Sequence, residues 1–455
     1  MMIDIKKIHF VGIGGIGMSG LAEILHGQGY TVTGSDRSHG DNIERLKSLG
    51  IACHIGHDAK HVDCDLLVYT AAAHSENPEL IEANRRNIPI IKRAALLGEF
   101  VRTKKGIAIS GTHGKTTTTA MIGMMLEHAE LHPTILAGGI MKELKTNAKL
   151  GDGEYVVVEA DEYDRSFLEL HPWISVINNI ESDHLDCYRD LDDIKQTFAQ
   201  FANQTSIFGS VWVNIDDANA YEVIPKISRR VSTFGLSTKA DVSATNIIQI
   251  ANKQTFDVLN NHKLLGTVTL NLSGNHNVKN ALACIAIGYD LNIPFSTIAK
   301  SLEQFEGTAR RFEILGTLNG VTWIDDYAHH PSEIQATLKG ARLGWPKRRI
   351  VAVFQPHLFT RTRDYLNDFA RSFTEADEVV LTDIYAAREE PIKGISGQRL
   401  FEETKKRHKQ VWYVEDKNKL AKEILSISQE GDLVITMGAG DITDVGRSVV
   451  SKQTA

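Results

Sequence analysis

The sequence predicts an α/β protein made of three successive units, and three observations carry that expectation. Short apolar runs alternate with stretches of helical periodicity along nearly the whole chain, which is the pattern of parallel sheets covered by helices. Two glycine-rich loops, Gly12–Gly17 and Gly111–Gly114, each follow an apolar run and open a helix. The length of 455 residues suits about three domains at roughly 150 residues each. Boundaries are expected near 100 and 310, giving units 1–100, 101–310 and 311–455.

In the first unit, strands are expected at Ile8–Val11, Thr31–Thr33, Leu66–Tyr69 and Ile88–Ile91. A helix should start after Gly17, because Met18, Leu21, Ala22 and Leu25 fall at helical spacing. A basic stretch (Arg102, Lys104, Lys105) precedes the strand Ile107–Ser110, which opens the second unit. Further strands are expected there at Tyr155–Glu159, Ser175–Asn178 and Val211–Asn214. From about Val231 to Leu272 the alternation changes, and β-like runs (Val242–Ile250, Thr255–Val258, Thr267–Leu272) follow one another without helices. That predicts an antiparallel patch, followed by a helix at Asn277–Tyr289. After Arg310 and Arg311 the third unit is expected to carry strands at Val321–Asp325, Ile350–Phe354, Val379–Thr382, Val411–Val414 and Leu433–Thr436.

Composition narrows the function classes. A net charge of −7 argues against a nucleic-acid coat or a membrane-surface role. The chain has no uninterrupted apolar stretch of about 18 residues, the length a membrane helix requires. Its start runs straight into a strand and a glycine loop, without the apolar core of an export signal. Cys53, Cys64, Cys187 and Cys284 are scattered and form no disulfide framework. The expectation is a cytoplasmic enzyme without nucleic-acid or membrane partners; its oligomeric state is left open.

Gly12, Gly14 and Gly17 form G-x-G-x-x-G between strand and helix, with Gly15 inside it. Such glycines let a turn tighten and let backbone N–H groups approach a diphosphate at the helix N-terminus. Asp36 lies 19 residues after Gly17, with Ser35 beside it at the end of the next strand. In a dinucleotide enzyme that acid holds a ribose hydroxyl. On this loop alone a nicotinamide-dependent oxidoreductase leads. The second loop, Gly111, Thr112, His113, Gly114, Lys115, Thr116 and Thr117, weakens that reading, because hydride transfer needs no second polyphosphate site. The loop is a G-x-x-G-K-T variant of the common phosphate-binding pattern. Its Lys115 suits β- and γ-phosphates and its Thr116 suits Mg²⁺.

Polar clusters end several of the expected strands, the edge at which ligands bind in parallel sheets. Glu159, Asp161 and Glu162 end one, and Glu159 could hold Mg²⁺ through one oxygen. His184, in the segment after the next strand, is a candidate metal ligand or phosphate contact. Asn277 and Asn280 sit one helical turn apart. The run Asp325–Pro331 includes Asp326, His329 and His330, and His357 follows the next strand. Adjacent histidines suit a single zinc poorly, and no third ligand is spaced nearby.

Taken in order, several motifs resemble the Mur ligases, the ATP-dependent amide-forming enzymes of peptidoglycan synthesis. They are the Gly111–Thr117 loop, Glu159–Glu162, Asp183–Asp186, His276–Asn280, Arg310–Glu313 and Asp325–Pro331. The opening His9–Gly20, with His329–Pro331 and Gln355–His357, resembles most the member that takes UDP-N-acetylmuramate and L-alanine. Tyr163 and Leu358 stand where that family more often shows serine and arginine.

The resemblance implies a Rossmann-like UDP-binding domain, a central P-loop ATPase domain and a Rossmann-like C-terminal domain. It implies that the first loop (Gly12, Gly14, Gly15, Gly17, with Ser35 and Asp36) holds the UDP-sugar and the second holds ATP. It further implies an acyl-phosphate mechanism. Lys115 would stabilise the γ-phosphoryl group, Thr116 and Glu159 would hold one Mg²⁺ and His184 a second, with Mn²⁺ as a substitute. Asn277 and Asn280 would contact ATP or the metal shell. Arg311 and Asp326 would close over the nucleotide, and His329, His330 and His357 would meet the amino acid or phosphate. A murein-tripeptide recycling ligase is the alternative within the family. Family members acting on later amino acids often carry a carbamylated lysine; Asn178–Tyr188 contains no lysine, so none is expected here. Because these groups come from three domains, the third is expected to close when nucleotides bind, hinged near Gly307–Arg311.

Overall fold

The computed structural model describes residues 5–387 and 389–451. The chain divides into two compact units. One comprises residues up to Thr245 with Asp257–Val268 and Lys279–Glu306; the other comprises Asn246–Phe256, Thr269–Val278 and the chain from Gly307 onward.

The first unit begins with a five-stranded sheet: β1 (Lys7–Val11), β2 (Thr31–Asp36), β3 (Ala52–Ile55), β4 (Leu66–Tyr69) and β5 (Ile90–Lys92). The spatial order is β3-β2-β1-β4-β5, and every pairing is parallel. After β3 the chain returns to the far side of β1, so the carboxyl ends of β1 and β4 flank a crevice at a topological switch point. Ile8, Phe10 and Val11 of β1 are buried, as expected of a central strand covered on both faces.

A ten-stranded sheet follows. Its strands are β6 (Lys105–Ser110), β7 (Thr134–Met141), β8 (Thr146–Lys149), β9 (Tyr155–Glu159), β10 (Ile174–Ile177), β11 (Ser210–Asn214), β12 (Val231–Gly235), β13 (Val242–Ile250), β14 (Lys253–Asn260) and β15 (Lys263–Leu270). They run in the order β15-β14-β13-β12-β11-β10-β6-β9-β7-β8. β6 lies between β9 and β10 and is parallel to both, so its carboxyl end opens a second switch-point crevice. β13, β14 and β15 are sheet neighbours joined by two-residue connections, which only antiparallel strands allow. One hydrophobic cluster runs from Ile8 and Phe10 through Leu136 and Ala148 to Val213, so the first two sheets share a core.

In the second unit, β16 (Glu313–Leu318), β17 (Val321–Asp326), β18 (Ile350–Phe354), β19 (Glu378–Thr382), β20 (Val411–Val414) and β21 (Leu433–Met437) form a sheet in the order β16-β17-β21-β18-β19-β20. Only β16 is antiparallel to its neighbour. β18 shows the period-two logic: Ile350, Ala352 and Phe354 pack into one core, Val351 and Val353 into another.

The expected central strands are present. β3, β7, β8, β12 and β16 were not anticipated, and β12 pairs parallel with β11 and β13, so the antiparallel part begins after β13 rather than near Val231. β3 and β16 are edge strands with half-exposed patterns, where apolar content is a weak signal. The helices also start earlier than expected, at Ile16 and Asn275. Among the described residues no helix is long and apolar enough to cross a membrane.

Candidate active site

At the first crevice, β1 runs into Gly12, whose φ of +83° puts it in the left-handed region. A Cβ there would lie 2.6 Å from Thr70 Cγ2, so only glycine fits. Gly12 N and Ile13 N both donate to Ser35 O (2.8 and 3.0 Å), tying the loop to the end of β2. Gly14 N donates to Asp36 Oδ2 at 2.9 Å. Asn42 Nδ2 donates to Gly14 O at 2.8 Å. These elements border a cavity of about 370 Å³, lined among others by Gly12, Gly15, Asp36, Arg37, His57 and Thr70. The size suits a nucleotide-class ligand. Gly17 is the second residue of the helix Ile16–Gly27, where a Cβ would fall 3.2 Å from Arg93 Nη1.

Ser35 is placed differently from the sequence expectation. Its side chain is fully buried behind the cavity and donates to Glu79 Oε2 at 2.5 Å. Glu79, also fully buried, is met by His61 Nδ1 at 2.9 Å, His57 Nδ1 at 3.3 Å and His9 Nε2 at 3.7 Å. Burial alone would raise the Glu79 pKa; the contacts with His9, Ser35 and His61 outweigh it and hold the carboxyl at about 2. No local sequence signal marks Glu79, because its partners lie on other elements.

At the second crevice, Gly111 (φ +138°) and Gly114 (φ +81°) bracket the loop that opens the helix Lys115–His128. A Cβ on Gly111 would lie 2.9 Å from Asn178 Cβ, and one on Gly114 would lie 2.6 Å from Asn280 Oδ1. Asn179 clamps the loop from the end of β10: its Oδ1 accepts from His113 N at 2.8 Å and its Nδ2 donates to His113 O at 3.0 Å. Thr112 Oγ1 accepts from Glu181 N at 2.8 Å, and His113 Nε2 lies 3.3 Å from Glu181 Oε2. The loop amides and the positive helix end suit polyphosphate.

Lys115 Nζ donates to Gly111 O and to Glu162 Oε2, both at 2.7 Å. Burial alone would lower its pKa, but Glu162, Asp161 and Glu159 outweigh it and push it up to about 12. The lysine is therefore a fixed cation aimed across the loop. Thr116 is buried at the first helical turn. Glu159 ends β9 and accepts a hydrogen bond from Gly138 N through Oε1. A Cβ on Gly138 would fall 2.6 Å from Glu159 Oε2, and one on Gly139 would fall 3.1 Å from Thr116 Cγ2. The Gly138–Gly139 stretch of β7 thus packs against both proposed oxygen ligands. His184 has φ +56°, in the left-handed region that non-glycine residues seldom adopt. Its Nε2 lies 3.8 Å from Glu162 Oε1, and Tyr163 packs on its ring edge-on with centroids 5.1 Å apart. A hydroxyl, carboxylates and an imidazole at this edge are a donor set that fits a hard divalent cation.

Asn280 reaches the loop at Gly114, whereas Asn277 Nδ2 donates to Ser273 O at 2.8 Å, in the preceding turn. In the second unit, both Asp326 oxygens are used on backbone: Oδ2 accepts from Phe312 N at 2.7 Å and Oδ1 from Ala328 N at 2.8 Å. Burial pushes its pKa up to about 6, against the opposing pull of Arg311 and those two N–H groups. Arg310 donates to Gly438 O and Gly440 O (2.6 and 3.0 Å), and Arg311 lies 3.6 Å from Glu333 Oε1. Both guanidinium groups stack on Tyr327. Glu333 Oε2 accepts from His329 N and His330 N at the start of the helix Pro331–Gly344. The His329 and His357 rings meet edge-on at 6.0 Å, next to Arg361, whose Nη1 is 3.4 Å from His357 Nδ1. His329 and His357 are thus brought together on one edge of this unit. Leu358 stands beside them at φ +72°.

Three consecutive segments match family models: residues 7–105 the "Mur ligase family, catalytic domain", 109–288 the "Mur ligase middle domain" and 310–440 the "Mur ligase, glutamate ligase domain". The chain belongs to the Mur ligase family. It is 49% identical over 453 residues to a UDP-N-acetylmuramate–L-alanine ligase of Trichlorobacter lovleyi, covering 99% of both chains. It is 48% identical to the enzyme of that name from Geobacter sulfurreducens, covering 98% of both. Among solved structures, the UDP-N-acetylmuramate–alanine ligase of Thermotoga maritima superposes with a TM-score of 0.85 at 33% identity, over 98% of this chain and 99% of that one. A murein peptide ligase of Psychrobacter arcticus gives 0.72 at 26% identity, over 98% of both chains.

Proposed function

We propose that this chain joins L-alanine to the lactyl carboxylate of UDP-N-acetylmuramate, with ATP converted to ADP and phosphate, in peptidoglycan precursor synthesis in the cytoplasm. The observation that carries this reading is the presence of two switch-point glycine loops within one compact unit, one bordering a nucleotide-sized cavity and the other carrying a lysine ion-paired to the buried Glu162. The full-length similarity to ligases of that name supports it. The domain boundaries we assign lie near 100 and 310.

A carboxylate does not react with an amine at neutral pH without activation. In the proposed sequence a carboxylate oxygen of the sugar attacks the γ-phosphorus of ATP, and the bond to the β-phosphate oxygen breaks. The neutral amine of alanine then attacks the acyl carbon, and the tetrahedral intermediate expels phosphate. Negative charge develops in both steps, so preorganised cations and N–H donors lower both barriers. Lys115 stabilises the transferring phosphoryl group, and the Gly111–Gly114 amides hold the rest of the polyphosphate. Thr116, Glu159 and His184 would hold Mg²⁺, which supplies charge neutralisation on phosphate and carboxylate oxygens when bound. Asn280 orders the loop at Gly114, and Asn277 steadies the start of its helix. Arg311 closes over the nucleotide, and His329, His330 and His357 serve the amino acid or phosphate. Asp326 is a positioning residue that pins the Phe312 and Ala328 backbone.

Phosphate release tests this directly. It should require both ATP and UDP-N-acetylmuramate and be fastest with L-alanine among alanine, glycine, serine and a murein tripeptide. Turnover restricted to the tripeptide would move the assignment to the recycling ligase, and nicotinamide reduction would move it to an oxidoreductase. Glu159→Gln removes a charged oxygen ligand and should raise the Mg²⁺ concentration for half-maximal rate at least about tenfold. An unchanged titration would leave Glu159 a structural strand end.

A further inference from the structure

The seam between the first two sheets contains a buried polar junction that none of the roles above uses. Asn147 on β8 is 1% exposed. Its Nδ2 donates to Ile16 O at 2.8 Å, in the first turn of the helix that follows the sugar-nucleotide loop. The same amide nitrogen lies 3.4 Å from Ala137 O on β7. The next residue, Gly138, donates its N–H to Glu159. From the other side, Arg45 Nη2 donates to Asn147 Oδ1 at 2.8 Å, and its Nη1 donates to Thr146 Oγ1 at 2.7 Å and to Glu23. Arg45 lies on the helix Asp41–Ser48, one turn beyond Asn42, which holds Gly14 O of the first loop. A Cβ on Gly20 would lie 2.7 Å from Asn147 Nδ2, so the first helix carries glycine where the asparagine crosses it.

We propose that Asn147, with Arg45, is a positioning residue that couples occupancy of the first glycine loop to the geometry of Glu159 at the second. A side chain that only filled the seam would need no polar atoms. This one uses both ends of its amide on the first domain, the oxygen on Arg45 and the nitrogen on Ile16, while the same nitrogen approaches Ala137 O of its own sheet, in a place where an unmet polar group is costly. A shift of Ile16 when a diphosphate seats on the loop is transmitted to the Ala137–Gly138 backbone and so to the carboxylate. The reaction benefits, because an acyl phosphate formed without correct alignment is lost to water. Coupling of this kind is reciprocal: each ligand tightens the other by the same factor.

The inference rests on the proposed function, and calorimetry on the full chain separates the two. UDP-N-acetylmuramate is titrated with and without Mg²⁺ and a non-hydrolysable ATP analogue. The analogue should tighten sugar-nucleotide binding at least about fivefold in the unaltered protein. Asn147→Ala and Arg45→Gln should each bring that factor below about twofold, while binding without the analogue changes less. Should Asn147→Ala fail to fold, the partly buried Arg45 carries the test. A coupling factor that survives in either folded variant, or that is absent from the unaltered protein, overturns the strut alone. Failure of the unaltered protein to bind UDP-N-acetylmuramate overturns the proposed function and the strut with it.

Discussion

Lys115→Ala is expected to lower kcat for ligation by at least about a thousandfold, roughly 4 kcal/mol of transition-state stabilisation. The ammonium is held at the mouth of the loop by Gly111 O and Glu162, with a pKa of about 12, so it is charged at every pH at which the enzyme would work. A cation fixed in a water-poor site needs no reorganisation as charge builds on the phosphoryl oxygens. The substitution also has a structural consequence. Glu162 is buried, and losing its partner leaves an uncompensated carboxylate. Breaking such a pair costs about 3–5 kcal/mol, so a fall in melting temperature is expected alongside the loss of activity. Lys115→Ala combined with Glu162→Gln removes the stranded charge and should recover much of the stability but none of the rate. Single-turnover kinetics and thermal melts on both variants make the check. Turnover of the single variant within tenfold of the unaltered enzyme would remove Lys115 from the chemistry.

Glu79→Ala is expected to destabilise the first domain by about 3–5 kcal/mol, because it strips a buried acceptor from Ser35, His57, His61 and His9 at once. The pH dependence follows from the same contacts. The Glu79 carboxyl titrates at about 2 in the folded chain, against an ordinary 4.5. Its contribution of about 3 kcal/mol is therefore fully present above pH 4.5 and is lost as pH falls toward 2. The histidines facing it from β1 and from the His57 and His61 segment belong to the same network, and His54 stacks on His61 with its pKa lowered, chiefly by burial. Hydrogen exchange of the Ile8–Val11 amides reports this domain without interference from the others. Protection in the unaltered protein should fall steeply below pH 4.5, and Glu79→Gln should flatten that fall. Equal slopes in the two proteins would mean that Glu79 is neutral in the fold. Because His57 also lines the cavity, the Gln variant should weaken sugar-nucleotide binding as well.

The α/β class, both glycine loops, the strand ends at Glu159 and Asp326 and the segment carrying His184 are legible in the sequence. Those features are local. A glycine is needed where a turn takes φ +83° or where a Cβ would strike Thr70, and strand, loop and helix follow one another within a few residues. Tertiary structure alone decided how those residues are held. Glu79 meets Ser35 across 44 positions and Asn147 meets Ile16 across 131, so neither contact leaves a periodic or spaced trace in the chain. The edge strands β3 and β16 were hidden because one side of each lacks a partner and little apolar content is required of it. Ser35 shows the same limit at a single residue. Its position beside Asp36 suggested a ligand contact, but alternation along β2 turns adjacent side chains to opposite faces, and only the packing of the helix bearing Glu79 made its face a buried one.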